Sequence, residues 1–174
     1  MELNHAGAMT NIRRHFTPNC TVFITLVCAV RQRWWAPAAA TARLRALLIS
    51  MSAQCRFQCH AWVILDDHLH LLVTDESGDV SGMVQRLKLR FVRGDPNRPQ
   101  RVWQRRFWDH VIRDDIDLRR HLDYIHHNPV KHGLATHARD YHWSSFGSFV
   151  RRGWYPEDWQ AVAGDEGGFG DQEP

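Results

Sequence analysis

The sequence predicts an α+β fold, a ferredoxin-like split βαβ sandwich built on a four-stranded antiparallel sheet. Apolar, β-branched runs alternate with amphipathic stretches in the order strand, helix, strand, strand, helix, strand, and a further helix follows. The chain has 174 residues, and its hydrophobic content of 44% is enough to bury one sizeable core. An Asp-Asp turn joins the second and third strands as a hairpin. In this topology the third strand lies inside the sheet, and the helices are expected on one face.

The elements are defined by hydrophobic periodicity and by the residues at their ends. The apolar run at residues 20–30 is rich in β-branched residues, is too short to cross a bilayer and precedes a poor cleavage site, so neither export nor a membrane span is expected. Pro37 opens an Ala-rich helix, and Gly78 breaks the chain before the next one. The predicted strands span residues 20–30, 54–65, 68–74 and part of 102–113, and the first two helices span residues 37–50 and 80–93.

The last helix is predicted over residues 114–128. Asp114 is placed to cap it, and Asp115 and Asp117 supply the negative charge that a helix N-terminus favours. The helix is expected to end near Asn128, because Pro129 follows and disfavours helical geometry in the residue before it.

Composition divides the chain into three parts. Residues 1–18 are polar and irregular, which predicts a flexible N-terminal arm, and residues 19–150 form a single domain. Residues 151–174 are a C-terminal extension that becomes rich in glycine and acidic residues, and we expect most of it to be disordered.

Basic residues are concentrated in the middle of the chain, although the formal net charge is only +3. Between residues 86 and 106 the single acid Asp95 faces eight basic residues: Arg86, Lys88, Arg90, Arg93, Arg98, Arg101, Arg105 and Arg106. This distribution indicates either an anion-binding surface or a solvated helix face.

The third strand begins with His68-Leu69-His70. Because strand side chains alternate between faces, the two histidines point the same way, and Leu69 and Leu71 point to the core. Two imidazoles on a rigid strand can converge on one divalent cation. The pattern alone is weak in a chain with twelve histidines, and two half-exposed surface histidines are the alternative.

Tyr124 and Asn128 are four residues apart and therefore lie on one flank of the last helix, with Asp117 and His121 close by. A phenol has a pKa of about 10 and is a weak nucleophile at neutral pH unless a cation polarises its target. A cation held by the histidine pair would therefore make Tyr124 a candidate nucleophile. The alternative is that Tyr124 is a half-buried packing residue.

The cysteines indicate a reduced protein. Cys20, Cys28, Cys55 and Cys59 form no C-x-x-C pair and lie in or beside apolar runs, as buried thiols of a cytosolic protein do. A small zinc-binding regulator that uses Cys55, Cys59 and the histidines is an alternative.

Four stretches carry a family resemblance: HLHLLV at 68–73, VWQRRFWDHVIRD at 102–114, YIHHNPVKHGL at 124–134 and WSS at 143–145. In order and spacing they resemble the REP-associated tyrosine transposases, which are bacterial single-domain, HUH-type, single-tyrosine enzymes of the IS200-like superfamily. The resemblance spans roughly residues 13–150.

The resemblance implies a catalytic site. His68 and His70 would be metal ligands, and Asn128 would be the third ligand, with His127 as a rival for that role. Tyr124 would be the nucleophile that attacks a DNA phosphate and leaves a 5′-phosphotyrosine and a free 3′-OH. The implied cofactor is Mg²⁺ or Mn²⁺, since an amide oxygen suits these hard ions.

The resemblance also implies a partner, single-stranded DNA of a repetitive extragenic palindrome folded as a hairpin. The candidate DNA-binding residues are Arg13, Arg14, Arg86, Arg90, Arg93, Arg105 and Arg106. A cytoplasmic, nucleoid-associated enzyme follows, whose oligomeric state is open with a monomer slightly favoured over a dimer. A non-catalytic hairpin-binding module is the alternative. The chain departs from the family pattern at Asp66-Asp67, where Pro-Asn is frequent. The two carboxylates could tune the metal or be solvated, and we interpret them as solvated.

Overall fold

The structure is a computed structural model that describes residues 16–31, 33, 38–54, 57–93 and 101–161. Its strands are β1 (Thr21–Val27), β2 (Phe57–Ile64), β3 (His68–Asp75) and β4 (Trp108–Val111). Its α-helices are α1 (Ala38–Gln54), α2 (Val80–Arg93), α3 (Asp115–Lys131) and α4 (Phe146–Arg151). The predicted order of elements is confirmed.

The four strands form one antiparallel sheet in the order β2-β3-β1-β4. β3 lies between β2 and β1, so the predicted interior position of the third strand is confirmed. The turn between β2 and β3 consists of Asp66 and Asp67, and the Leu65 N–H donates to the His68 carbonyl across it at 2.8 Å. This is the predicted two-residue hairpin.

Each face of the sheet carries its own apolar cluster. On one face, α1 and α2 pack on side chains that include Leu69 and Leu71 of β3. On the other face, Leu122 and Ile125 of α3 pack on side chains from β1, β2 and β3 that include Phe23. The expectation of helices on one face is therefore right for α1 and α2 and wrong for α3. The residues of β3 that alternate with Leu69 and Leu71 point to the opposite face, and α3 covers that face.

The predicted bounds of several elements differ from the structure, and β1 is shorter at both ends than the predicted run at residues 20–30. α1 continues to Gln54, four residues past the predicted end, and Met51 in its last turn is fully buried. β2 begins at Phe57 accordingly. The fourth strand is short, and Trp103, which lies earlier in the predicted region, is outside it and forms an isolated β-bridge to Cys28.

α3 begins as predicted and ends later than predicted. The Asp114 side chain accepts from the Asp117 N–H at 2.8 Å, which confirms the cap. The helix passes through Pro129 to Lys131, because a proline near a helix end removes only one late hydrogen bond. Gly133, with φ +67°, then takes the left-handed conformation that ends many helices.

The segment after α3 packs back onto the domain. The Ser145 hydroxyl accepts from the Trp62 N–H at 2.9 Å and lies 3.0 Å from Nε2 of the buried His126. Tyr155 donates from its hydroxyl to Asp123 at 2.6 Å. The N-terminal arm up to residue 15 and the tail from residue 162 lie outside the described residues. In the described ranges, no helix combines the length and apolarity that crossing a membrane requires.

Candidate metal and tyrosine site

The histidine pair lies on the face of β3 that α3 covers. His68 and His70 pair with Val27 and Thr25 of β1, and their exposed fractions are 2% and 1%. Their ring centroids are 5.0 Å apart. Both side chains are therefore buried in the middle of the sheet, which excludes the alternative of two half-exposed surface histidines.

Each histidine is oriented by a hydrogen bond at Nδ1. His68 Nδ1 lies 2.6 Å from Asp67 Oδ1, and His70 Nδ1 lies 2.9 Å from the Thr25 hydroxyl. Because a carboxylate only accepts, the His68 proton sits on Nδ1 and leaves the Nε2 lone pair for a ligand. The interpretation of Asp66 and Asp67 as solvated is thus wrong for Asp67. Asp66 pairs with Arg33 instead.

The environment keeps His70 neutral. Burial is the main cause that lowers its pKa well below the ordinary value, and the basic side chains around it, which include Lys131, act in the same direction. The neighbouring Asn128 side chain acts on the pKa in the opposite direction. A neutral imidazole is the form that binds a metal ion.

α3 places Tyr124 beside the histidine pair. The Tyr124 ring centroid is 5.2 Å from that of His70, and Phe23 contacts both rings, at 5.3 Å from His70 and 5.8 Å from Tyr124. Lys131 Nζ lies 5.4 Å from the centre of the Tyr124 ring. The Tyr124 ring, the two imidazoles and a cationic side chain therefore lie next to one another.

Asn128 lies one turn beyond Tyr124 and is fully buried. Neither its Oδ1 nor its Nδ2 has a hydrogen-bond partner in the structure. The rival His127 is only partly buried, and its ring lies 6.4 Å from that of Trp159 in the C-terminal segment. Of the two side chains, Asn128 is the more deeply buried.

The donor atoms present fit a divalent cation. His68 Nε2, His70 Nε2 and both polar atoms of Asn128 are buried without a hydrogen-bond partner. Buried polar atoms without partners are costly in an ordinary interior. If two imidazole nitrogens and an amide oxygen bind one cation, the metal bonds offset the free-energy cost of burying these atoms.

Two basic residues near the site were missed by the sequence analysis. The ring of His132 lies 4.9 Å from that of His68, and Lys131 lies over Tyr124. Their spacing of seven and eight residues from Tyr124 puts them two helical turns away on its flank, but a helix ending at Asn128 does not extend that far.

The candidate DNA-binding arginines lie elsewhere. Arg86, Arg90 and Arg93 are exposed on α2, across the sheet from the histidine pair. Lys88 donates to the Gln104 carbonyl at 2.8 Å, which holds the segment with the exposed Arg105 and Arg106 beside α2. Arg13 and Arg14 lie outside the described residues.

The cysteines give no support to a zinc regulator. Cys20, Cys28 and Cys59 form no disulfide, and burial raises the pKa of Cys59 to about 12. A protonated thiol is a poor zinc ligand. Cys55 lies outside the described residues.

A ferredoxin-like sheet with a histidine pair on an inner strand and a tyrosine on the covering helix is the arrangement of the HUH-type single-tyrosine enzymes. Residues 16–128 match the family described as "Transposase IS200 like". The chain therefore belongs to the IS200-like transposase family, and within it to the REP-associated tyrosine transposases, which are enzymes.

Individual relatives support the same assignment. A chain from Haemophilus influenzae, provisionally named a REP-associated tyrosine transposase, is 37% identical over 168 residues, which are 87% of this chain and 93% of the relative. The REP-associated tyrosine transposase of Escherichia coli K12 is 40% identical over 124 residues, 70% of this chain and 72% of that one. A solved REP-associated tyrosine transposase bound to a REP hairpin superposes with a TM-score of 0.79 at 33% identity, covering 88% of this chain and 93% of that one.

Proposed function

We propose that the chain is a divalent-metal-dependent single-stranded DNA endonuclease and strand transferase that acts on REP-type hairpins. The observation that carries the proposal is the group of unpartnered buried donors, His68 Nε2, His70 Nε2 and the Asn128 amide, beside the Tyr124 ring. The hairpin bound by the solved relative supports the choice of substrate.

In this proposal Tyr124 is the nucleophile. Its phenolic oxygen attacks a DNA phosphorus, the bond to the 3′ oxygen breaks, and the phenol loses a proton while the departing oxygen gains one. The products are a 5′-phosphotyrosine and a free 3′-OH. His68, His70 and Asn128 would hold Mg²⁺ or Mn²⁺, and the bound cation would polarise the phosphate and shield the developing charge.

The other residues of the pocket have supporting roles. Asp67 and Thr25 hold the two imidazoles with Nε2 facing the pocket. Phe23 stacks on His70 at 5.3 Å and limits the positions open to the Tyr124 ring. Positioning of this kind is a large part of catalysis, because it removes the entropy cost of bringing the reacting groups together.

The DNA would bind through backbone contacts to exposed arginines. Arg90, Arg93, Arg105 and Arg106 lie on or beside α2, and Arg86 shares that helix although it also pairs with Asp79 at 3.1 Å. Contacts of this kind fix the position of a nucleic acid and make its affinity fall with salt. Since α2 lies across the sheet from Tyr124, the hairpin stem and the cleaved strand would occupy different faces.

The test is a covalent-adduct assay with a labelled single-stranded hairpin that has unpaired flanks, in the presence of Mn²⁺. The wild-type chain is expected to give a denaturation-resistant protein–DNA band, and Tyr124→Phe to give none while hairpin binding is retained. Tyr155→Phe is the matched control, because Tyr155 bonds Asp123 and lies in the C-terminal segment.

Two outcomes would refute parts of the proposal. An adduct formed by Tyr124→Phe would exclude Tyr124 as the nucleophile. Hairpin binding by a wild-type chain that forms no adduct at any Mn²⁺ concentration would favour the non-catalytic binding module.

A further inference from the structure

A second group of metal-binding side chains lies where β4 meets α3. Its members are His110 on β4 and Asp117 and His121, one turn apart on α3. One ligand atom from each residue lies within 4.8 Å of the other two. Within the described part of the chain, this is the one group of three or more histidine, cysteine or acidic side chains with that spacing.

The distances suit a small cation. His110 Nε2 lies 2.8 Å from Asp117 Oδ2, and His121 Nδ1 lies 3.3 Å from Asp117 Oδ1. His121 Nδ1 also donates to the Asp117 backbone carbonyl at 2.8 Å, and this bond would have to break before Nδ1 could bind a metal ion. Zinc holds nitrogen and oxygen ligands at about 2.0–2.2 Å, so a tetrahedral site separates its ligand atoms by about 3.4 Å. The carboxylate thus stands between two imidazoles at hydrogen-bonding separations that are shorter than about 3.4 Å, so a bound ion would replace the protons that now join these groups and would move them slightly apart.

The three side chains are held in place by packing. The rings of His110 and His121 stack with centroids 4.7 Å apart, and Phe23 contacts His121 at 4.8 Å. His121 is fully buried and Asp117 is 4% exposed, whereas His110 is 24% exposed at its side chain. Because packing already fixes these side chains, binding an ion would cost little conformational entropy. The partly exposed His110 makes the site accessible from solvent.

Arg113 forms an ion pair with Asp117. Its backbone N–H and its Nε each donate to Asp117 Oδ2 at 3.0 Å. The guanidinium side chain is 71% exposed, so it can move away into water without uncovering the core. The backbone bond would remain as an outer contact that orients the carboxylate.

We propose that His110, Asp117 and His121 bind one transition-metal dication of the zinc class, at a site separate from the histidine pair. Two imidazoles and a carboxylate are donors that suit Zn²⁺, Co²⁺ or Fe²⁺ better than Mg²⁺ or Ca²⁺. Because the site joins β4 to α3 one turn before Tyr124, the ion would fix the N-terminal half of that helix against the sheet. A hydrogen-bonded network with no ion is the competing explanation of the same contacts.

The experiment uses the full chain after chelator treatment, titrated with Zn²⁺ by calorimetry and with Co²⁺ by its visible absorption. The wild type is expected to show two sites. His110→Ala should lose one of them, with affinity falling about tenfold or more. The double variant His68→Ala/His70→Ala should retain the site that His110→Ala loses.

His110→Gln is the matched control, because its amide can still donate to Asp117 but is a poor zinc ligand. It should fold like the wild type and also lose the site. Equal Zn²⁺ and Co²⁺ binding by the wild type, His110→Ala and His110→Gln would overturn the proposal and leave the hydrogen-bonded network. Binding at this site without binding at His68 and His70 would refute the metal ligands of the proposed function while supporting this inference.

Discussion

Removing the carboxylate of Asp67 tests how the first histidine is held. Asp67 Oδ1 lies 2.6 Å from His68 Nδ1, and the imidazole is 2% exposed, so few other groups can orient it. Loss of a carboxylate that orients a metal-binding histidine costs about 10–100-fold in metal affinity, or about 1.4–2.7 kcal/mol. Asp67→Ala should therefore raise the Mn²⁺ concentration required for half-maximal cleavage by about that factor.

The assay is the initial rate of adduct formation on a labelled hairpin as Mn²⁺ is varied. At saturating Mn²⁺ the Asp67→Ala rate should approach that of the wild type, because Tyr124 and the other ligands are unchanged. Asp66→Ala is the control, since Asp66 pairs with the exposed Arg33. An unchanged Mn²⁺ requirement in Asp67→Ala, or an equal increase in Asp66→Ala, would refute the reasoning.

Three further predictions concern other parts of the chain. Ser145→Ala should lower the free energy of unfolding in urea by about 1–3 kcal/mol for each of two groups left without a partner, a backbone N–H and the His126 imidazole; a loss below about 1 kcal/mol would contradict this. Because burial raises the pKa of Cys59 to about 12, its alkylation by iodoacetamide at pH 8, followed by mass spectrometry, should be at least about 100-fold slower than that of glutathione, and equal rates would refute it. Replacing Arg90 and Arg93 by Gln should reduce the slope of log affinity for hairpin DNA against log salt by about two, whereas an unchanged slope would remove both from the interface.

Local pattern was sufficient to predict much of the candidate site. The alternation along β3 placed His68 and His70 together and opposite Leu69, and the structure confirms both faces. The four-residue spacing likewise put Tyr124 and Asn128 on one flank of α3. Periods of 2.0 and 3.6 residues are properties of the backbone, so these relations do not depend on tertiary packing.

The sequence analysis was wrong or incomplete at positions whose structure depends on tertiary contacts. Pro129 is accommodated inside α3, so Lys131 and His132 reach the pocket although the local rule ends the helix before them. Asp67 looked like a solvated turn residue because its partner is the side chain of the next residue, which only the fold buries. The approach of His110 to Asp117 depends on the course of the chain between β4 and α3, which hydrophobic periodicity does not reveal.

α3 is held by contacts on two of its flanks, and this affects how a cut strand could be joined to another. One flank carries Tyr124 against His70, while the other is bound through His126 to Ser145 and through Asp123 to Tyr155. If Tyr124 carries the 5′ end of a cut strand, that end stays at one point in space for as long as the link lasts. Exchange of one 3′-OH for another would then depend on rearrangement of the nucleic acid around a stationary protein, and the rate of joining should follow the flexibility of the unpaired DNA flanks.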